Sequence, residues 1–340
     1  MKNRAIIYPL VFIFLSLVSS CFDTSHTEPQ EPILIRIALG AMDRFNFYWC
    51  LEGTYGYIDT TGRYVINPQF DGAWDFHEGL ASVKLGDKYG YIDTTGRYVI
   101  NPQFDWANSF HEGLARVKLG DKYGYIDTTG RYVINPHFDD AEDFNKGLAS
   151  VKLCDKYGYI DTTGRYVINP QFDFPGDFHE GLASVKLGDK YGYIDTTGRY
   201  VINPQFDDAW SFQEGLALVE LGDKCGYIDT TGRYVINPQF DDASSFHEGL
   251  ALVQLDGKWG YIDTTTCYVV NPQFDWACSF QEGLALVQLD GKWGYIDTTG
   301  RYVINPQFDD AEDFNKGLAR VWLDGKMKVI NKKGIIIWEE

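Results

Sequence analysis

Six histidines, six cysteines and a dense set of carboxylates are the side chains of this 340-residue chain that could do chemistry. Histidine is the first candidate for acid–base work, because imidazole titrates near neutral pH. His77, His111, His179 and His247 all precede Glu-Gly at one recurring slot, and Gln213, Gln281, Asn145 and Asn315 fill that slot elsewhere. A slot that accepts an amide in place of an imidazole asks for a polar surface residue, not for a base or a ligand. His137 replaces Gln in an Asn-Pro-Gln-Phe segment, and His26 lies in a polar stretch near the N-terminus. No Ser-His-Asp or Cys-His set stands apart from its copies. No catalytic residue is therefore expected.

Asp139-Asp140, Asp207-Asp208, Asp241-Asp242 and Asp309-Asp310 are paired acids at another recurring slot. Calcium takes six to eight oxygens, but no D-x-[DN]-x-[DN]-G loop is present. An Asp before a short helical turn reads instead as its N-cap. Beyond Cys21 the cysteines are Cys50, Cys154, Cys225, Cys267 and Cys278, an odd number without metal-ligand spacing. Cys225 reads as a small buried apolar residue. Cys267 and Cys278 can bridge only if the chain between them reverses fully, since Tyr268 to Asn271 carries it about 13 Å away at strand rise. Two free thiols are expected there, with the bridge as the alternative. No metal and no cofactor is expected.

These residues recur because the chain repeats. Gly56, Gly90, Gly124, Gly158, Gly192, Gly226, Gly260 and Gly294 are spaced by 34 residues throughout. A period of this size signals a solenoid, propeller or array. Within one unit, Leu80-Ala81-Ser82-Val83-Lys84-Leu85 alternates as a strand, with Ala81, Val83 and Leu85 on one face and Ser82 and Lys84 on the other. Gly86-Asp87-Lys88 is a turn, Tyr89 to Asp93 a second strand, and Thr94-Thr95-Gly96-Arg97 a tight turn. Tyr98-Val99-Ile100-Asn101 is a third strand, ended by Pro102. In the connector, Phe104, Ala107 and Phe110 are spaced by three, which predicts a single helical turn capped by Gly113.

The turn glycines, such as Gly96, are expected at positive φ. Thr266 takes that slot once, so its hairpin is expected to be distorted. The slot of Lys84, Lys118, Lys152 and Lys186 becomes Glu220, Gln254, Gln288 and Trp322, which reads as drift on a solvated face. Lys88 and Arg97 recur beside turns, within reach of the acids.

The fold class read from this pattern is all-β: tandem three-stranded meanders forming an open twisted β-solenoid. A propeller-like closed ring is the alternative, disfavoured because the unit is short for a four-stranded blade. Units begin near residues 45, 80, 114, 148, 182, 216, 250, 284 and 318. Residues 45–317 hold eight repeats. Residues 318–340 diverge, with Met327-Lys328-Val329-Ile330 in place of the motif, and read as a capping repeat.

The net charge is −18, with a sequence pI of about 4.7. A phosphate-binding surface needs a basic stripe, so bare nucleic acid and anionic membrane surfaces are unsuitable partners. At the N-terminus, Lys2 and Arg4 precede an apolar run from Ala5 to Val18, too short to span a membrane. The run ends Leu17-Val18-Ser19-Ser20-Cys21, which resembles a bacterial lipoprotein lipobox. That resemblance implies cleavage before Cys21 and a lipid on Cys21; an ordinary signal with an incidental cysteine is the alternative. Residues 1–20 are then a signal peptide. Residues 21–44 are a polar tether followed by a cap strand within Ile33 to Leu39, and membrane attachment is through the lipid alone.

Lys258-Trp259-Gly260-Tyr261-Ile262-Asp263 and Lys292-Trp293-Gly294-Tyr295-Ile296-Asp297, each after Asp-Gly, resemble the bacterial WG-repeat family, also called KWG repeats. Tyr55, Tyr89, Tyr123, Tyr157 and Tyr191 occupy the Trp slot, and Cys225 does so once. The resemblance implies a β-rich repeat scaffold and brings no catalytic residues. The expected function is a non-catalytic cell-envelope lipoprotein whose repeated surface binds a protein or a glycan. A structural spacer without a ligand is the alternative, and an enzyme a further one.

Overall fold

The structure, a computed structural model, describes residues 34–40 and 53–339. The expected signal peptide, Cys21, His26 and Cys50 lie outside the described residues. The chain divides into two compact units, Met1–Pro170 and Gln171–Glu340, and each is described by itself.

Every element among the described residues is a strand. The expected meander is formed by Leu80–Leu85, Lys88–Asp93 and Tyr98–Phe104. Its first hairpin pairs Lys84 with Tyr89 and Val83 with Gly90. The same plan recurs through both units, and among the described residues no sheet closes on itself into a barrel.

The connector corrects the expected helical turn. Gly72–Ala73 is a short strand pairing with Lys84 and Val83, so each complete sheet has four strands, ordered short, first, second, third. In the next unit the extended segment is longer: Trp106–His111 pairs Trp106 with Lys118 and Phe110 with Ala115, with a register shift between Ala107 and Phe110. A lone helical turn fixes many dihedrals for one hydrogen bond. An extended connector instead satisfies the free edge of the following first strand. Phe104, Ala107 and Phe110 are buried, and that burial explains their apolar character without a helix.

Pro102 does not end the third strand, which runs to Phe104. Tyr89 pairs with Phe104 and Tyr91 with Ile100, so between these pairs the single residue Gly90 opposes three, Asn101, Pro102 and Gln103. Pro102 sits in this bulge, on the edge strand, where its missing N–H breaks no ladder.

Both faces of a sheet are buried. Ala81, Val83 and Ile92 pack on Tyr57, Ile66 and Phe70 of the preceding sheet. Leu80, Tyr91 and Ile100 pack on Ala115, Val117 and Ile126 of the following one. This reverses two expectations from strand alternation: Ser82 is 1% exposed and Leu85 is 47% exposed. The Ser82 slot becomes Leu218, Leu252 and Leu286 in later units, all buried, as a stacked face requires.

The first sheet has three strands. Its first-strand place, expected near residue 45, is held by Ile35–Gly40, which pairs antiparallel with Gly53–Ile58.

Candidate functional site

The motif residues Trp259, Gly260, Trp293 and Gly294 lie on second strands, at the joint between neighbouring sheets. At the bulge the third strand's backbone presses against the motif glycine. A Cβ on Gly260 would lie 2.5 Å from the Val270 carbonyl oxygen and 2.6 Å from the Pro272 nitrogen. On Gly294 it would lie 2.6 Å from the Ile304 carbonyl oxygen. The glycine is a packing requirement. Trp259 is buried beside Trp276, with ring centroids 6.1 Å apart. The deeper aromatic is the tyrosine two residues on. Tyr91 is fully buried, and its hydroxyl donates to the Asn108 carbonyl at 2.6 Å, pinning the connector to the sheet. Burial pushes the Tyr91 phenol well above its ordinary pKa.

The recurring acids hold the array together. Asp309 accepts from the Lys292 ammonium at 2.6 Å and from the Asp324 amide, in the next unit's turn, at 2.8 Å. Those two donors hold its carboxyl below the ordinary carboxylate range. Asp105 does the same between Lys88 and the Gly120 amide. With no helix to cap, the acid instead links two sheets. Asp93 organises the second turn, accepting from the Thr95 hydroxyl at 2.6 Å and from the Arg97 amide at 3.0 Å, which lowers its pKa.

The Thr266 hairpin is not distorted. Thr266 has φ 72°, and its amide donates to the Asp263 carbonyl at 2.8 Å. Gly96, at φ 85°, makes the same bond to Asp93 at 2.9 Å. The Asp263 carboxylate binds Thr265 and the Cys267 amide as its counterparts do, so the loop imposes its shape on the β-branched residue.

Among the candidate groups, His77, His111, His179 and His247 each pair with the leucine three residues on, at separate turns. Only neighbours approach: the His77 and His111 rings are 5.5 Å apart. Cys154, Cys225, Cys267 and Cys278 are free thiols; Cys225 is buried, and Cys278 packs in the core between sheets while Cys267 is exposed. Among the described residues, no group of His, Cys, Asp and Glu is placed to hold a metal ion. The Lys84 slot has a partner, the aromatic residue directly opposite it on the second strand. Lys84, Lys118, Lys152 and Lys186 place their ammonium groups 5.8, 5.1, 5.4 and 5.2 Å from the ring centroids of Tyr89, Tyr123, Tyr157 and Tyr191. The slot changes where that neighbour becomes Cys225, Trp259 or Trp293.

One surface was missed. The third strand is the edge of each sheet, and Tyr98, Val99, Asn101 and Gln103 on it are exposed. Tyr98 stands edge-on to Phe70 of the preceding sheet, at 6.2 Å and 85°. Tyr132 meets Phe104 at 6.2 Å and 83°, and Tyr234 meets Phe206 at 6.2 Å and 84°. The signal in the sequence was the unvarying Tyr-Val at the start of each third strand. Reading it needed the knowledge that this strand is an edge.

No curated protein sequence matches the chain. Among solved structures, a eukaryotic initiation factor is similar at 12% identity, over 84% of this chain and 93% of that one, with a TM-score of 0.50. Hsv2p of Kluyveromyces lactis is similar at 13% identity, over 57% of this chain and 74% of that one, with a TM-score of 0.34. PorZ, a bacterial surface component of the type-IX secretion system of Porphyromonas gingivalis, is similar at 8% identity, over 85% of this chain and 50% of that one, with a TM-score of 0.30. At these identities only the first likeness informs, and it concerns fold alone. The family model for the WG containing repeat matches eight tandem segments, 55–89, 89–123, 123–157, 157–191, 191–225, 226–259, 259–293 and 293–326. With these segments covering most of its length and the motif glycines seated in every bulge, the chain belongs to the WG-repeat family.

Proposed function

We propose that this protein is a lipid-anchored, non-catalytic scaffold of the cell envelope, which binds a protein or glycan partner along its stacked sheet edges. The observation that carries the reading is the row of third strands. From Tyr98 to Tyr302 each presents a half-exposed tyrosine in one orientation, with valine and amide side chains following along the same strand. Recurring half-exposed aromatics, each held in place by one buried ring, are suited to an interaction surface. The non-catalytic part rests on the acids. Asp93, Asp105 and their equivalents are engaged in turns and inter-sheet links, and each is one of many copies. The anchor rests on Val18-Ser19-Ser20-Cys21.

Two experiments test this. Tagged full-length protein, captured from detergent-solubilised envelopes, should retain a partner that is lost when Tyr98 and Tyr132 are both changed to Ser. Failure to retain anything would leave the spacer role. Cys21→Ser should abolish acyl labelling and release the protein from membranes; labelling that persists refutes the anchor.

A further inference from the structure

We propose that the stacked third-strand edges bind a neutral, hydroxyl-rich polysaccharide, laid along the row of tyrosines; this rests on the scaffold reading above and names its ligand class.

The geometry of the row comes first. Within residues 171–340, Tyr200 stands on Phe172 at 6.2 Å and 87°, Tyr234 on Phe206 at 6.2 Å and 84°, and Tyr302 on Phe274 at 6.3 Å and 79°. Within residues 1–170, Tyr98, Tyr132 and Tyr166 repeat the arrangement on Phe70, Phe104 and Phe138. Each phenol is therefore held at one tilt by a buried ring of the preceding sheet, while a large part of it stays in solvent; Tyr98 is 39% exposed. Stacked sheets lie about 10 Å apart, so neighbouring rings have a regular pitch. A ligand that uses several of them must itself repeat. A polysaccharide chain repeats along its length and so can meet several rings in the same way.

The chemistry beside the rings narrows the polymer. Aromatic faces suit the C–H faces of sugar rings. Sugar hydroxyls both donate and accept, and so do carboxamides. Asn101 and Gln103 stand exposed on the same edge strand as Tyr98, three and five residues further on, and their side chains make no hydrogen bond to the rest of the protein. Arg97, one residue before Tyr98, forms no ion pair through its guanidinium and adds further donors. In other rows the cations are already engaged, as Lys292 is with Asp309. The arginine row is balanced by the turn acids, since Asp93 lies close to Arg97. No excess positive charge remains to favour a polyanion, and the net charge of −18 repels one. Charge therefore rules against a polyanion, and a neutral chain is the class proposed.

The test is native affinity electrophoresis of the full-length protein in mild detergent, in gels containing dextran, galactomannan or the polyuronate alginate. At least one neutral polysaccharide should retard the protein, and alginate should not. Tyr98→Ser combined with Tyr132→Ser should weaken retardation about tenfold or more, since aromatic contacts contribute up to about 1.5 kcal/mol each. Those tyrosines also pack on phenylalanines, so a second variant, Asn101→Ala with Gln103→Ala, removes exposed amides that make no hydrogen bond within the protein. It should weaken retardation severalfold with unchanged thermal unfolding. Retardation by alginate alone, by no polysaccharide, or equally in wild type and both variants overturns the inference. If polysaccharides fail while a protein is captured through the same tyrosines, the scaffold reading stands and this inference falls. If the tyrosine variant changes no capture of any kind, both fall.

Discussion

Glu112 accepts a hydrogen bond from the backbone amide of Gly147, one unit further along the chain, at 2.8 Å. Its other oxygen takes the Lys146 amide at 2.6 Å. The same reach joins Glu282 to the Lys316 and Gly317 amides. Each glutamate sits at the first position of a two-residue turn with positive φ, 54° at Glu112. The turn that strains its backbone also aims its carboxylate at the next turn. Glu112→Ala should lower stability by about 1 kcal/mol through the lost bonds. Glu112→Gly loses the same bonds but relieves the backbone, and should cost less. Urea unfolding of the two variants checks this; equal losses would show that the backbone term is negligible.

Gly260→Ala should be among the most damaging small substitutions. Its methyl would meet backbone atoms of the third strand at 2.5 and 2.6 Å, and neither can swing aside. Overpacking of this kind costs about 1–3 kcal/mol. Gly86→Asp is the contrast: nothing lies within 4 Å of an added Cβ, and Asp290 occupies the equivalent turn at φ 50°. Thermal unfolding should separate the two variants by several degrees.

Tyr91→Phe removes the hydroxyl that donates to the Asn108 carbonyl, and leaves that carbonyl without its partner. A loss of about 1–2 kcal/mol is expected from an unsatisfied, part-buried acceptor. Hydrogen exchange should rise first in the connector around residues 106–111. A uniform rise across the sheet would contradict the pinning role.

Thr266→Gly should stabilise the protein. A β-branched residue held at φ 72° costs about 1–2 kcal/mol relative to an unstrained conformation. Glycine removes that cost, less about 0.4–1 kcal/mol from the greater freedom of the unfolded chain. An unchanged or lower midpoint in chemical denaturation would count against it.

Acid should loosen the joints between sheets. Lys292 and the Asp324 amide lower the Asp309 pKa in the fold, and Asp105 is lowered by Lys88 and the Gly120 amide. A carboxylate with a depressed folded pKa contributes stability that is present above its unfolded pKa of about 3.9, and is lost as pH falls through the folded value. Stability should be flat from neutrality to about pH 5, then decline steeply below about pH 4. Asp309→Asn should flatten part of that decline.

What the sequence determined by itself was local or periodic. The spacing of Gly90, Gly124 and their counterparts set the unit, and Leu80 to Asn101 showed the meander because alternation and turn residues act over a few positions. Gly96 and its copies showed their positive φ for the same reason. Only the tertiary structure decided the rest. The connector around Ala107 became a strand because the following first strand, ten residues on, offers it a free edge. Ser82 went inside because sheets stack on both faces, which no single strand's pattern can report. Pro102 stayed within its strand because that strand is an edge with a bulge. Asp105 and Glu112 found partners 15 and 35 residues away, across a joint that exists only once the sheets have stacked.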